Sequence, residues 1–365
     1  MPRQAKVLTA SAIWQGRTAS CARTALPFDT VEGSFDMHET TAGPVLVTGA
    51  TGFVGSHVVE AFARAGIHTR AFVRPTSDTR RLQKAGAEVV VGALDDETAV
   101  RRAVEGTTAV VHLAALTRAK SEAEYKRVNA EGTALLARAA AGNGSGPRRF
   151  VHLSSLAAAG PPTGGRPVCP DDTPRPLTAY GRSKLAGELA LLATEGIRPI
   201  VLRPPAVYGP RDRDLFTFFR LAVLGILPVP MGPHRPVQLI HAEDLAEAVL
   251  RALLVDASGI VHVAEPMAYP WETVGRMVAQ AVGKRARVVR VPASLIAAAA
   301  AVSEGVARIG GGATIFNRDK ARELLAPGWL CETDAAREKL GFQTRIPLAE
   351  GLKETARWYR NEGWL

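Results

Sequence analysis

Two side chains four residues apart, Tyr180 and Lys184, carry the first chemical signal in this chain of 365 residues. On a helix that spacing puts both on one face. An ammonium beside a phenol favours the phenolate and brings an alkaline group toward the range of a working general acid or base. Such a pair occurs on any solvent-facing helix, so its weight comes from a third group, Ser154-Ser155, which closes an apolar run from Arg149 to Leu153. A serine at a strand end either makes a turn or holds a substrate oxygen while the tyrosine moves its proton. The other constellation is Gly49-Ala50-Thr51-Gly52-Phe53-Val54-Gly55. Its glycines allow a tight turn and a close approach to a pyrophosphate, whose charge meets the free N–H groups of a helix start. A glycine pattern is a weak signal alone, but here it follows a strand-like run, Pro44 to Thr48, and opens a helical stretch from Phe53 to Ala65.

The elements that must position these residues alternate strictly. Strands are predicted at 68–73, 88–91, 109–113, 149–153, 199–202 and 260–263, and helices at 79–85, 96–104, 122–141, 180–192 and 242–254. A glycine-rich polar loop occupies 142–147. This order implies right-handed βαβ crossovers and a parallel sheet covered on both faces. The expected fold class is α/β, a Rossmann-type doubly wound parallel sheet with a smaller, mostly helical C-terminal lobe. Residues 43–264 form the dinucleotide domain in this reading. Residues 265–365, helical at 271–282, 293–309, 318–325 and 348–362, form a substrate lobe to which the loop region 204–236 contributes. Residues 1–42 read as a disordered extension; up to Phe28 they hold four basic residues and no acid, a composition similar to a transit peptide. The expected location is the cytoplasm.

With the glycine turn, the serines and the Tyr-x-x-x-Lys pair in this order, the chain resembles the extended short-chain dehydrogenase/reductase family from about Pro44 to the C-terminus. The motifs are Thr48-Gly49-x-x-Gly52-x-x-Gly55, His112-Leu113-Ala114-Ala115, Val128-Asn129-x-x-Gly132-Thr133, Leu153-Ser154-Ser155, Tyr180-Gly-Arg-Ser-Lys184 and Arg203-Pro204-Pro205-Ala206-Val207-Tyr208-Gly209-Pro210. The resemblance implies that Ser155 orients the substrate, Tyr180 is the acid/base and Lys184 binds ribose. It places Gly49, Thr51, Gly52, Phe53, Val54, Gly55, Arg74, Leu94, Ala114 and Ala115 along the cofactor, with Tyr180 and Lys184, and lays Pro204 and Val207 beside the nicotinamide. It assigns Asn129 to fixing backbone rather than touching substrate. A homodimer is common among such proteins.

An acid at the end of the second strand accepts ribose hydroxyls, whereas an arginine pairs a 2′-phosphate. Here the strand ends on Arg74, so NADP(H) is favoured over NAD(H), with Asp78 read as a solvent-facing turn residue. Gly92-Ala93-Leu94 replaces the family's usual Gly-Asp-Leu, which removes an adenine contact unless Asp95 supplies it. Members that handle nucleotide sugars have an asparagine within the segment matching 203–210 and an arginine before the helix at 242. This chain has Pro205-Ala206 and Val237-Gln238-Leu239-Ile240-His241 instead. Buried anionic oxygens without donors are costly. The look is of dihydroflavonol-reductase-like and 3β-hydroxysteroid-dehydrogenase-like members, and the expected reaction is hydride transfer between NADP(H) and a secondary alcohol or ketone on an apolar, steroid- or flavonoid-like substrate. A nucleotide-sugar epimerase or dehydratase, with Arg211 and Arg213 as anion binders, is the alternative.

Composition bounds the rest. Apolar residues make up 47% and charged residues 22%, as in ordinary globular proteins. The net charge of +10 is scattered, with no basic-aromatic weave of the kind a nucleic-acid face needs, so no nucleic-acid partner is expected. Three widely spaced cysteines, none in a CxxC pair, give no metal site. No run reaches the roughly 18–20 apolar residues of a membrane span. The most apolar helix, 293–309, reads as a packing helix, with peripheral membrane contact as its alternative.

Overall fold

The computed structural model describes residues 43–142, 149–233, 235–309, 314 and 316–365; the predicted extension and most of the glycine-rich loop lie outside them. The chain alternates as its sequence predicts: β1 (Val45–Thr48), α1 (Phe53–Arg64), β2 (Thr69–Val73), α2 (Arg80–Lys84), β3 (Glu88–Val91), α3 (Glu97–Val104) and β4 (Ala109–His112). The predicted helix over 122–141 has three parts: α4 (Glu122–Tyr125), a π-helical stretch at Lys126–Glu131, and α5 (Gly132–Ala141). Then come β5 (Arg149–Leu153), α6 (Leu156–Ala159), α7 (Ala179–Leu192) and β6 (Arg198–Arg203). After an excursion, α9 (Ala242–Leu254) and β11 (Gly259–His262) complete the sheet.

The seven strands run parallel in the order β11-β6-β5-β4-β1-β2-β3. Strand order reverses between β1 and β4, and at such a switch point ligands bind beyond the carboxyl ends of the strands. Both faces are covered, so the strands read as apolar runs rather than alternating ones. Val45 and Val47 of β1 join a core with Val58 and Phe62 of α1 and Leu245 and Val249 of α9, while Leu46 joins Val100 of α3 and Leu136 of α5 on the other face. Buried Arg149 donates to the carbonyls of Ala252 and Ala257 at the end of α9, a cation where the helix dipole is negative.

The excursion from β6 differs from the loop expected there. It holds β7 (Ala206–Tyr208), α8 (Phe216–Val223), β8 (Ile226–Pro230), β9 (Pro236–Val237) and β10 (Leu239–His241). Beyond β11 lie β12 (Tyr269–Pro270), α10 (Trp271–Ala281), β13 (Arg287–Val291), α11 (Ala293–Ile309), α12 (Arg318–Leu325), α13 (Asp334–Leu340) and α14 (Leu348–Asn361). Three two-stranded ribbons, β7 with β10, β8 with β13 and β9 with β12, join residues 30 or more positions apart, β8 and β13 being the most distant. A third core draws Tyr208, Phe219, Leu227 and Leu239 together with Val274 and Val278 of α10 and Leu352 and Tyr359 of α14.

Candidate active site

The glycine turn is built around contacts that leave no room for side chains. Gly49 has φ +71°, and a Cβ there would stand 2.6 Å from the Ala114 nitrogen; a Cβ on Gly55 would meet the Gly49 oxygen at 2.0 Å. Thr51 and Gly52 are exposed, Phe53 and Val54 half-buried. No side chain caps the start of α1, its first turn carries no acid, and the helix is 12 residues long. Its free N–H groups and positive dipole end are therefore open to an anion. These residues fit a dinucleotide's pyrophosphate.

Ala114 is fixed by a relay. Its N–H donates to Thr48 Oγ1 (3.3 Å), Thr48 Oγ1 meets His112 Nδ1 (2.6 Å), and His112 Nε2 meets Thr133 Oγ1 (2.9 Å), whose own hydroxyl donates to the Asn129 carbonyl (2.8 Å). Because Thr133 spends its proton on Asn129, His112 donates from Nε2 and accepts at Nδ1, the neutral tautomer. Burial agrees, lowering this imidazole to about 3.

The other predicted cofactor residues stand at the same carboxyl edge. Arg74 follows β2, exposed, with no ion pair among the described residues. Asp78 is engaged by Arg80, which donates to both carboxylate oxygens and lowers the acid to about 2. Leu94 follows β3, half-buried, 3.2 Å from where a Cβ on Gly132 would sit. Asp95 is exposed, and Asp96 caps α3 by accepting from the Ala99 N–H. Ala115 follows β4 next to Ala114. Pro204 accepts from the Leu156 N–H through its carbonyl (2.8 Å), which sets it beside Ser155, and Val207 lies on β7, paired with Ile240.

Ser155 caps α6, its Oγ accepting from the Ala157 N–H (3.1 Å), and it also hydrogen-bonds Tyr180. The contact is allowed by Gly181: a Cβ there would stand 2.3 Å from the Ala157 oxygen, so glycine lets the start of α7 abut α6. Burial pushes the Tyr180 hydroxyl above the usual phenol range, and the Ser155 hydrogen bond draws it partly back. Lys184 has a hydrogen-bond partner that the spacing did not show. Its ammonium, 1% exposed, donates to the Leu153 carbonyl (2.8 Å), and burial lowers it to about 8 against the opposing pull of Glu188. Helical spacing put both residues on one face, but the end of β5 offered the lysine a carbonyl.

Asn129 does what the resemblance implied. Fully buried in the π-helical stretch, it accepts from the Leu116 N–H (2.7 Å) and donates to the Leu116 carbonyl (3.0 Å) and to Ser183 Oγ (3.0 Å). π-helical turns recur at functional sites.

A family model, that of the NAD dependent epimerase/dehydratase family, matches residues 45–264. The chain belongs to that family. Members are extended short-chain dehydrogenases/reductases, and this chain is an enzyme of that NAD-dependent oxidoreductase type. The epimerase/dehydratase family member in hand is 33% identical over 326 residues to the ceramide reductase of Caulobacter vibrioides (strain NA1000 / CB15N), an alignment covering 88% of this chain and 96% of that one. It is 28% identical over 364 residues to the dTDP-glucose 4,6-dehydratase of Streptomyces niveus, covering 88% and 94%. It also superposes on MoeE5 in complex with UDP-glucose and NAD with a TM-score of 0.69 at 26% identity, covering 88% of this chain and 99% of that one.

Several groups around the site carried no readable signal in the sequence. The first N–H of α7, on Ala179, donates to Asp319 (2.8 Å), and Thr178 donates to Glu323 (3.3 Å), so α12 holds the helix that bears Tyr180. Beneath Lys184, Glu188 accepts from Arg203 Nε (3.0 Å) and Nη2 (2.5 Å) and from Ser154 Oγ, with both charged groups at or below 1% exposure. Next to Tyr125 and Ala179 lies a cavity of about 280 Å³, also lined by Lys120, Arg318, Asp319 and Arg322; it sits beside the Ser155–Tyr180 pair rather than over it.

Proposed function

We propose that this enzyme transfers a hydride between NADP(H) and a secondary alcohol or ketone carried on an apolar substrate. The observation that carries the substrate class is where the candidate anion-binding arginines are spent. Arg211 donates to Ser56 Oγ (2.8 Å) and Glu60 (2.7 Å), and Arg213 lies over the Trp364 ring at 5.5 Å. Neither guanidinium is held ready for a sugar diphosphate, and 237–241 adds no arginine. The full-length likeness to a ceramide reductase points the same way. Arg74, exposed at the end of β2 and without an ion pair among the described residues, supports NADP(H).

When bound, the dinucleotide supplies or accepts the hydride. Ser155 holds the substrate oxygen, and Tyr180 gives that oxygen a proton or removes one. Because burial keeps the Tyr180 proton on, the resting enzyme is set to donate, which suits ketone reduction. Lys184, pinned to the end of β5, presents its remaining N–H groups to ribose hydroxyls. Pro204 and Val207 give the nicotinamide side an apolar wall.

The test follows NADPH absorbance with a panel of long-chain and steroid ketones, a ceramide-type ketone among them, alongside UDP-glucose. NADPH consumption with an apolar ketone and none with the sugar is expected. Conversion of UDP-glucose without net NADPH consumption, on copurified NAD(H), would establish instead the epimerase or dehydratase reading that the dehydratase relative and the UDP-glucose-bound neighbour favour. Arg74→Ser should lower kcat/KM for NADPH by roughly tenfold or more, the worth of a charge-assisted hydrogen bond, and leave NADH little changed.

A further inference from the structure

Helix α11 is apolar on two faces. Its inner face packs Ile296 and Ala300 on Ala321 of α12, with Val291 and Leu324 around them. Its outer face carries Leu295, Ala298, Ala299, Val302 and Val306, spaced as one helical stripe, with Leu295, Val302 and Val306 at 59%, 67% and 66% exposure. A surface helix normally turns polar residues outward. The ribbon that leads into this helix also exposes apolar residues, Ile226 (42%) and Val289 (42%), and Leu224 (71%) stands just before it. Ile226 pairs with Arg287, and the Arg287 N–H donates to the Gly225 carbonyl (2.8 Å), so the tip bearing Leu224 and Ile226 borders the exposed Lys284, Arg285 and Arg287. From Lys284 to Val306 the chain has four basic residues and one acid, Glu304, which accepts from the Arg318 N–H (3.2 Å). Lys284, Arg285 and Arg287 make no ion pair among the described residues, and Arg290 has Glu272 at 3.4 Å.

We propose that this face, the outer side of α11 with the tip of the β8–β13 ribbon, docks on an anionic lipid bilayer. Charge selects that occupant. An anionic headgroup layer answers the rim, and its acyl boundary takes the stripe. At 17 residues α11 is about 25 Å long, short of the roughly 30 Å hydrocarbon core, so it lies on the bilayer. Among the described residues no helix is long and apolar enough to cross a membrane. The inference stands apart from the substrate assignment, because none of these residues belongs to the candidate active site.

The experiment is co-sedimentation of the full chain with phosphatidylcholine vesicles made with and without phosphatidylglycerol. Partitioning onto the anionic vesicles is expected, weakened by salt and near background on phosphatidylcholine alone. Val302→Asp with Val306→Asp, and separately Arg285→Glu with Arg287→Glu, should each lower it about tenfold or more, with thermal melting and NADPH titration unchanged. Leu295→Ser with Val302→Ser replaces the first pair if the aspartates unfold the chain. Three outcomes overturn the proposal: no partitioning at low salt, partitioning that survives loss of the apolar stripe, or a dimer in sedimentation velocity that the stripe variants dissociate.

Discussion

Tyr180 and Lys184 are tuned by burial more than by each other. The phenol sits above its usual range with Ser155 as its hydrogen-bond partner, and the ammonium sits near 8 with the Leu153 carbonyl as its own. Tyr180→Phe should cost roughly 10²- to 10⁴-fold in kcat, the usual worth of a general acid or base, while the NADPH dissociation constant stays close to wild type. Comparable losses in both would make the tyrosine a structural support. The pH profile separates the two groups. Lys184 is charged below about 8 and loses its proton above, before the elevated tyrosine does, so kcat/KM for reduction should fall above about pH 8. Lys184→Met should be slower throughout and lack that limb; a limb that survives the substitution belongs to another group.

At the scale of elements, the segment between β7 and α8 ties the sheet to the C-terminal helices. Arg211 has φ +77°, the one non-glycine residue with positive φ among the described residues, and its guanidinium reaches Glu60 on α1. The next residue, Asp212, is 2% exposed, accepts from the Asp214 and Leu215 N–H groups, and gives its carbonyl to the Tyr359 hydroxyl of α14 (2.7 Å). Burial raises its carboxyl to about 7, and the Asp214 charge adds to this against those N–H bonds and Lys320. A carboxyl raised on folding binds more protons folded than unfolded. Its stabilising contribution is therefore complete below the unfolded value near 4 and is lost as pH rises through 7. The melting temperature of wild type relative to Asp212→Asn should thus fall between pH 5 and pH 8. An unchanged difference across that interval would mean that Asp212 stays ionised in the fold.

At the scale of the whole molecule, a buried ion pair joins the sheet to the helix that bears Tyr180. Arg203 ends β6 and Glu188 lies one turn beyond Lys184 on α7, while Arg203 Nη1 has no partner among the described residues. Removing one member leaves an uncompensated buried charge, so Arg203→Met alone should cost about 3–5 kcal/mol in urea denaturation. Arg203→Met with Glu188→Met should recover much of that loss. A double variant as unstable as the single one would show that packing around the pair, rather than charge, is what the site needs. The order of β5, β6 and α7 explains the placement: the parallel strands end at one edge, and α7 crosses that edge carrying Tyr180 and Lys184.

The glycine turn, the strand–helix alternation through β11 and the Tyr180–Lys184 spacing were legible in the chain because each depends on residues within a few positions of one another. The seven-stranded sheet followed from that alternation, since parallel crossovers have one hand. Other features had no local signature. The ribbons at 206–241 pair residues 30 or more positions apart, and the helix over 122–141 changes winding around Asn129, whose partners lie at Leu116 and Ser183. The sequence by itself determined the glycine turn at the start of α1 and the spacing of Tyr180 and Lys184 on α7, because both are set by neighbouring residues. Only the tertiary structure decided their condition: Lys184 turned to a carbonyl, Arg211 taken by Glu60, Asp319 at the start of α7 and an apolar stripe left outward on α11. Burial and pairing between distant residues govern those outcomes, and neither is a property of a short stretch of chain.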